Sequence, residues 1–200
     1  MLIICCGMQR SGSTLQYNIV RRLAEITGTG RSAGYFDGQE IEDALVDFEQ
    51  WAGERSITVI KVHDLAEKLR NMSKSQGVRI CFTHRDLRDA AVSIQLKFKA
   101  YGEELLQRLD NAIGVHRFVA ALPIDHQLVQ GYEEMRDQLP QVIARHAEFL
   151  GLDTAPDVID KLAAELGMDG GVSIYRMAFL PAVVRKILNR ALGAGRFDRT

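Results

Sequence analysis

The clearest chemistry in the chain lies near its start, in Gly7-Met8-Gln9-Arg10-Ser11-Gly12-Ser13-Thr14. Two glycines separated by four residues, followed by hydroxyl side chains that open a helix, have the spacing of a loop that cradles phosphate on backbone N–H groups. The helix N-terminus adds roughly half a positive charge, and Ser11, Ser13 and Thr14 offer hydroxyl donors. A nucleoside triphosphatase loop carries lysine directly after its second glycine, where this chain has Ser13; the cation of the loop is Arg10 instead. An arginine on the loop suits a bidentate grip on a shorter, metal-free phosphate group.

Two later segments carry matching chemistry. Lys61 and His63 alternate in an extended stretch, so their side chains share a face while Val62 points the other way. Histidine accepts a proton near neutral pH, and lysine offsets charge on a group being transferred. In Arg85-Asp86-Leu87-Arg88-Asp89-Ala90-Ala91-Val92-Ser93, the arginine stands at the mouth of a helix. Ser93 follows about two turns later on a similar face, giving a second anion pocket. Arg88 and Asp89 read as a solvated charge network.

These residues need a scaffold that brings strand ends together. Leu2–Cys6 is a continuous apolar run, as in a strand buried on both faces. Ser13 to Thr27 has helical apolar spacing through Leu15, Ile19, Val20, Leu23 and Ile26. Arg31 to Gly38 is rich in turn formers, and Glu40 to Trp51 reads as a helix. Strands follow at Ile57–Val62 and Val78–Thr83, with a short helix at Leu65–Met72 between them. Asp89 to Ala121 is helical in two segments broken near Gly102; Gln127–Gly131 is a fourth strand. Helices are predicted at Pro140–Leu150, Pro156–Leu166 and Pro181–Leu192. Alternating strands and helices predict an α/β fold of three layers, a doubly wound, mostly parallel sheet with helices on both faces. Its ligands bind beyond the carboxyl ends of the strands, where all three polar segments fall.

Length and composition agree with a single domain over residues 1–200, with 46% hydrophobic and 26% charged residues. A formal net charge of −1 argues against nucleic acid as a partner, so any anion site is built locally. Cys5, Cys6 and Cys81 lack metal-ligand spacing and read as buried thiols, so no metal site is expected. The N-terminal apolar run is too short for a membrane span and has no basic lead, which predicts no transmembrane segment and a cytoplasmic protein.

Taken together, the segments resemble the sulfotransferases that use 3′-phosphoadenosine 5′-phosphosulfate (PAPS). Gln9-Arg10-Ser11-Gly12-Ser13-Thr14-Leu15 is similar to that family's P-K-S-G-T-T-W, with arginine for lysine. Lys61-Val62-His63 is similar to K-T-H, and Arg85 with Asp89 and Ser93 keeps the interval of R-x-P-x-D-x-x-x-S, with Leu87 for proline. Tyr132-Glu133-Glu134-Met135 and Phe149-Leu150-Gly151 resemble Y-E-D-M and its trailing F-L-G.

The resemblance implies that Arg10, Ser11, Gly12, Ser13 and Thr14 hold the 5′-phosphosulfate, Arg85 and Ser93 the 3′-phosphate, and that Tyr132 lies near the adenine. It implies His63 as general base and Lys61 with Arg10 as catalytic cations; should turnover survive loss of His63, Asp37, Glu40 and Asp64 are the candidate bases. The acceptor would be a hydroxyl or amine on a small molecule, glycan or lipid, with PAP as nucleotide product and no metal. Leu15 replaces the aromatic residue that stacks on adenine in the family. The family's late K-G-x-x-G closing loop has no counterpart before Thr200, so a short member or a chain without its C-terminal lid is expected. Two other readings remain: a kinase or nucleotidase using ATP and magnesium, with Asp86 facing the metal, and a nucleotide-binding relative without catalysis. Oligomeric state is left open by the sequence.

Overall fold

A computed structural model describes residues 1–167. The helix expected at Pro181–Leu192 and the chain end at Gly195–Thr200 lie outside the described residues. The chain begins with β1 (Leu2–Gly7) and α1 (Ser13–Ile26), then runs through β2 (Gly30–Tyr35), α2 (Gly38–Asp43), α3 (Leu45–Gly53) and β3 (Ile57–Lys61). It continues with α4 (Glu67–Met72), β4 (Val78–His84), α5 (Leu87–Phe98) and α6 (Gly102–Ala120). The last described elements are β5 (Gln127–Gly131), α7 (Tyr132–Asp137), α8 (Leu139–Leu150) and α9 (Pro156–Leu166).

All five strands are parallel, in the order β2-β3-β1-β4-β5. The alternation within β1 divides the core. Ile3 and Cys5 point to the layer of α1, α8 and α9, with Leu15, Ile19, Leu23, Val142, Ile143 and Leu162. Leu2, Ile4 and Cys6 point to the opposite layer, with Phe48, Leu69, Val115 and Val119 of α3, α4 and α6. Every residue of β1 is buried, as its continuous apolar run predicts. Cys5, Cys6 and Cys81 are free and fully buried. None of the described helices is long and apolar enough to cross a membrane.

Two differences from the sequence reading bear on the site. Gly30–Tyr35 forms the edge strand β2 rather than a turn, pairing in parallel with β3 through a bulge between Ser32 and Gly34. Its glycines, serine and alanine hide the strand pattern, yet Gly30 is needed there: a Cβ at this position would stand 2.2 Å from the carbonyl oxygen of Ile57. The helix expected at Glu40–Trp51 is two helices, divided at Ala44.

The register lines up the strand ends that carry polar residues. Tyr35 pairs with Lys61, Cys5 with Lys61, Gly7 with Thr83, and His84 with Gly131. Between β1 and β4 the strand order reverses direction along the chain, which is where open α/β sheets form their ligand crevice.

Candidate functional site

The loop after β1 is fastened to the end of β4. The Met8 amide donates to the Thr83 carbonyl at 3.0 Å, and the Ser11 amide donates to Met8 O at 3.2 Å. Gly7 sits so close to β4 that a Cβ would stand 2.1 Å from Thr83 Oγ1. Ser11 is fully buried, and its hydroxyl lies 2.6 Å from Met8 O and 2.7 Å from Thr83 Oγ1. Its donor is engaged in holding the loop, a use that the sequence pattern does not distinguish from anion binding.

Arg10 and Gly12 both adopt left-handed backbone conformations, with φ of 68° and 80°. They turn the chain into α1, whose first repeating bond runs from Gln16 N to Gly12 O at 3.1 Å. The amides of Ser13, Thr14 and Leu15 have no backbone acceptor among the described residues, leaving the helix N-terminus open to an anion. Gly12 is doubly constrained, because a Cβ there would also stand 2.8 Å from Met135 Cε and 3.0 Å from Tyr132 Cδ2.

Lys61, at the end of β3, reaches Ser13, the sequence position at which a triphosphatase loop carries its own lysine. Its Nζ donates to Ser13 Oγ at 3.1 Å and lies 5.9 Å from the centroid of the Tyr35 ring. Burial pulls the Lys61 pKa down to about 8. His63 follows, its ring edge-on to Tyr35 at 5.3 Å between centroids, while Val62 is buried as predicted. His63 keeps exposed surface, yet desolvation of its ring and the neighbouring Lys61 charge lower its pKa to about 4 against the opposing pull of Asp37, so the imidazole is neutral at pH 7. His63 also lines a cavity of about 180 Å³ with Gly7, Met8, Gln9, Asp64 and Arg108.

A second cluster forms across the loop. Arg10 Nε donates to Ser93 Oγ at 2.9 Å, and Arg85 Nη1 reaches Arg10 O at 3.5 Å. The Arg85 guanidinium carbon lies 4.4 Å from the centroid of the Tyr132 ring, and its Nη2 is 3.5 Å from Asp89 Oδ2. Arg85 Nε is buried without a hydrogen-bond partner. Arg10, Arg85, Ser93 and Tyr132 therefore meet, whereas Lys61 joins Ser13 and shares Tyr35 with His63. No bond to the side chain of Thr14 is formed among the described residues.

Asp86 is occupied in another way. It caps α5 by accepting from the Arg88 amide at 2.9 Å and pairs with the Arg88 side chain at 2.8 Å, contacts that hold its carboxyl below the usual range. Asp89 pairs with Arg85 rather than joining Arg88 in a separate network. The sequence reading missed Tyr35, which lies on the concealed edge strand, and the bond from Arg108 to Gln9 Oε1 at 2.8 Å, which ties α6 to the loop.

No family model and no curated protein matches the sequence. Solved structures do match the fold. A retinol dehydratase in complex with androsterone and the inactive cofactor PAP aligns with a TM-score of 0.60 at 20% identity, over 88% of this chain and 69% of its own. The same kind of enzyme with retinol and PAP gives 0.54 at 19%, over 84% and 65%. Mouse sulfotransferase SULT7A1 complexed with PAP gives 0.60 at 16%, over 96% and 80%. The order and parallel pairing of the strands, with helices on both faces, agree with this likeness: the chain has the sulfotransferase fold.

Proposed function

We propose that this chain, acting as one domain, is a sulfotransferase that moves a sulfuryl group from PAPS to a hydroxyl or amine acceptor. The observation that carries the reading is the buried, unpartnered Nε of Arg85, whose guanidinium lies over the Tyr132 ring and reaches Arg10, itself bonded to Ser93, on the loop that precedes the open N-terminus of α1. Two anion-ready positions flank a single loop, and a nucleotide bearing a 3′-phosphate and a 5′-phosphosulfate has two anionic ends. The donor set contains arginine, serine and backbone amides, which suits phosphate and sulfate.

Arg85, Ser93 and Arg10 would hold the 3′-phosphate, with Tyr132, covered by Arg85, against the base. This moves Arg10 toward the 3′-phosphate and leaves the 5′ end to the amides of Ser13 and Thr14 and to Lys61. When bound, PAPS supplies a sulfur that forms a bond to the acceptor oxygen or nitrogen as its bond to the phosphate oxygen breaks, the electron pair staying on that phosphate.

His63, neutral at pH 7, takes the acceptor proton on an imidazole nitrogen. Its lowered pKa makes it a weak base in the ground state, so transfer is favoured only as the acceptor atom loses electron density to sulfur. Lys61 holds its positive charge in a buried setting, where it offsets the charge gathering on the departing phosphate and the sulfonate. The Ser13 hydroxyl fixes that ammonium at the mouth of α1. The acceptor would enter the cavity beside His63, whose wall includes the hydrogen-bonded pair Gln9 and Arg108.

Incubation with PAPS and a panel of alcohols, phenols, amines, sugars and lipids, with release of PAP as the readout, tests the proposal. Acceptor-dependent PAP release is expected. Binding of PAP without any acceptor-dependent turnover across the panel would favour a nucleotide-binding relative.

A further inference from the structure

Tyr35 stands where three elements of the site meet. Its ring packs edge-on against His63 at 5.3 Å, and Lys61 Nζ lies 5.9 Å from its centroid. Its hydroxyl donates to Asp37 Oδ2 at 3.1 Å. Asp37 is itself fixed as the N-cap of α2, its amide donating to Glu40 Oε2 at 3.3 Å and its carbonyl accepting from the Glu40 amide at 2.8 Å. The Phe36 amide donates to Lys61 O at 2.9 Å, locking this end of β2 to β3. A path of contacts therefore runs from the helix cap through the tyrosine to both groups that would work on the transferred sulfuryl.

We infer that Tyr35 is a positioning residue: its ring, anchored through Asp37, sets the orientation of the His63 imidazole and shares a face with the Lys61 ammonium. The inference rests on the proposed sulfuryl transfer only for its effect on rate. The effect on His63 itself does not depend on what the protein transfers.

The physical consequences follow from what the ring covers. His63 keeps exposed surface, and the half-buried Tyr35 ring covers one side of its imidazole while lying near the Lys61 charge without neutralising it by ionic pairing. Removing the ring admits water, which favours the charged imidazolium. The charged groups around His63 are Lys61 on β3, Asp37 at the head of α2, Asp64, and Arg108 of α6, the last two lining the same cavity as His63. Lys61 opposes protonation and Asp37 favours it. Tyr35→Ala should therefore move the His63 pKa upward from about 4 toward the ordinary 6.5. Tyr35→Phe, which keeps the ring and loses only the anchor, should shift it far less.

The test is an imidazole proton NMR titration of the whole chain, wild type against Tyr35→Ala, Tyr35→Leu and Tyr35→Phe, with His63→Gln to assign the resonance. The inference expects a rise of about one unit or more in the alanine and leucine variants and recovery in the phenylalanine variant. In PAPS turnover, kcat should fall about tenfold in the alanine variant while KM for PAPS stays near wild type. An unchanged His63 titration in folded Tyr35→Leu, or equal shifts in the leucine and phenylalanine variants, would overturn it. If Tyr35→Ala does not fold, the leucine variant keeps the aliphatic bulk and still decides. Should PAPS turnover be absent in the wild type, the proposed function fails while the titration continues to report on Tyr35.

Discussion

Lys61 Nζ donates to Ser13 Oγ across 3.1 Å, so the ammonium that the phosphate loop lacks in its own sequence arrives from the end of the neighbouring strand. The arrangement separates the cation from the loop and places it beside a neutral histidine, at the strand end where the pairing of Cys5 with Lys61 aligns β1 and β3.

Turnover should be bell-shaped in pH. In the proposed transfer His63 works when deprotonated, so kcat/KM rises as pH climbs through about 4; Lys61 works when charged, so kcat/KM falls as pH climbs through about 8. Lys61→Met should remove the alkaline limb and lower kcat about a hundredfold, the scale of losing one preorganised electrostatic group. A kcat/KM that stays level between pH 7 and 10 in the wild type would contradict the role given to Lys61.

Gly12→Ala should damage both fold and binding. The left-handed φ of 80° strains any side chain, and the new Cβ would meet Tyr132 Cδ2 at 3.0 Å. A loss of about 1–2 kcal/mol in denaturant unfolding is expected, together with weaker PAP binding as Tyr132 is pushed away. Binding at wild-type strength would show that Tyr132 does not face the nucleotide.

Arg85 separates nucleotides by their 3′ group. Arg85→Ala should weaken PAP by about two orders of magnitude and adenosine 5′-monophosphate by much less, since only PAP would satisfy the buried Nε. Equal losses in calorimetric titrations would remove the 3′-phosphate from this pocket.

Acid should unfold the chain partly through His146 on α8. The ring is fully buried, donates from Nδ1 to Val142 O at 2.8 Å, and has its pKa lowered to about 4 by burial. The unfolded state, with the ordinary value of 6.5, binds more protons between those two values, so stability is present above 6.5 and is lost as pH falls toward 4. The loss approaches about 3 kcal/mol if no other group compensates. Thermal melts of His146→Leu should depend less on pH in this window; an unaltered dependence would assign the acid sensitivity elsewhere.

Much of the positioning was legible in the sequence because parallel strands buried on both faces announce themselves as apolar runs, and each run here stops at a polar segment. Leu2–Cys6 and Val78–Thr83 lie in strands of the structure, and the glycine spacing of the loop predicts the turn that the left-handed Gly12 makes. What stayed hidden is contact across elements. Nothing local distinguishes Ser11, which fastens the loop, from Ser13, which meets Lys61. The edge strand carrying Tyr35 is built of small residues and has an irregular register, so it lacks the alternation that marks a strand. Arg10 reads as a companion of the 5′ end by its place in the loop, yet its guanidinium bonds Ser93, which lies 83 residues away in sequence.

The most direct test of the central claim is a calorimetric titration of the protein with PAP in parallel with ATP and magnesium. With the proposed 3′-phosphate pocket at Arg85 and a strand-borne lysine at the mouth of α1, PAP should bind at least tenfold more tightly, and addition of magnesium should leave its affinity unchanged. Tighter binding of ATP with magnesium would contradict the assignment of the Arg85 pocket and, with it, the sulfuryl-transfer reading.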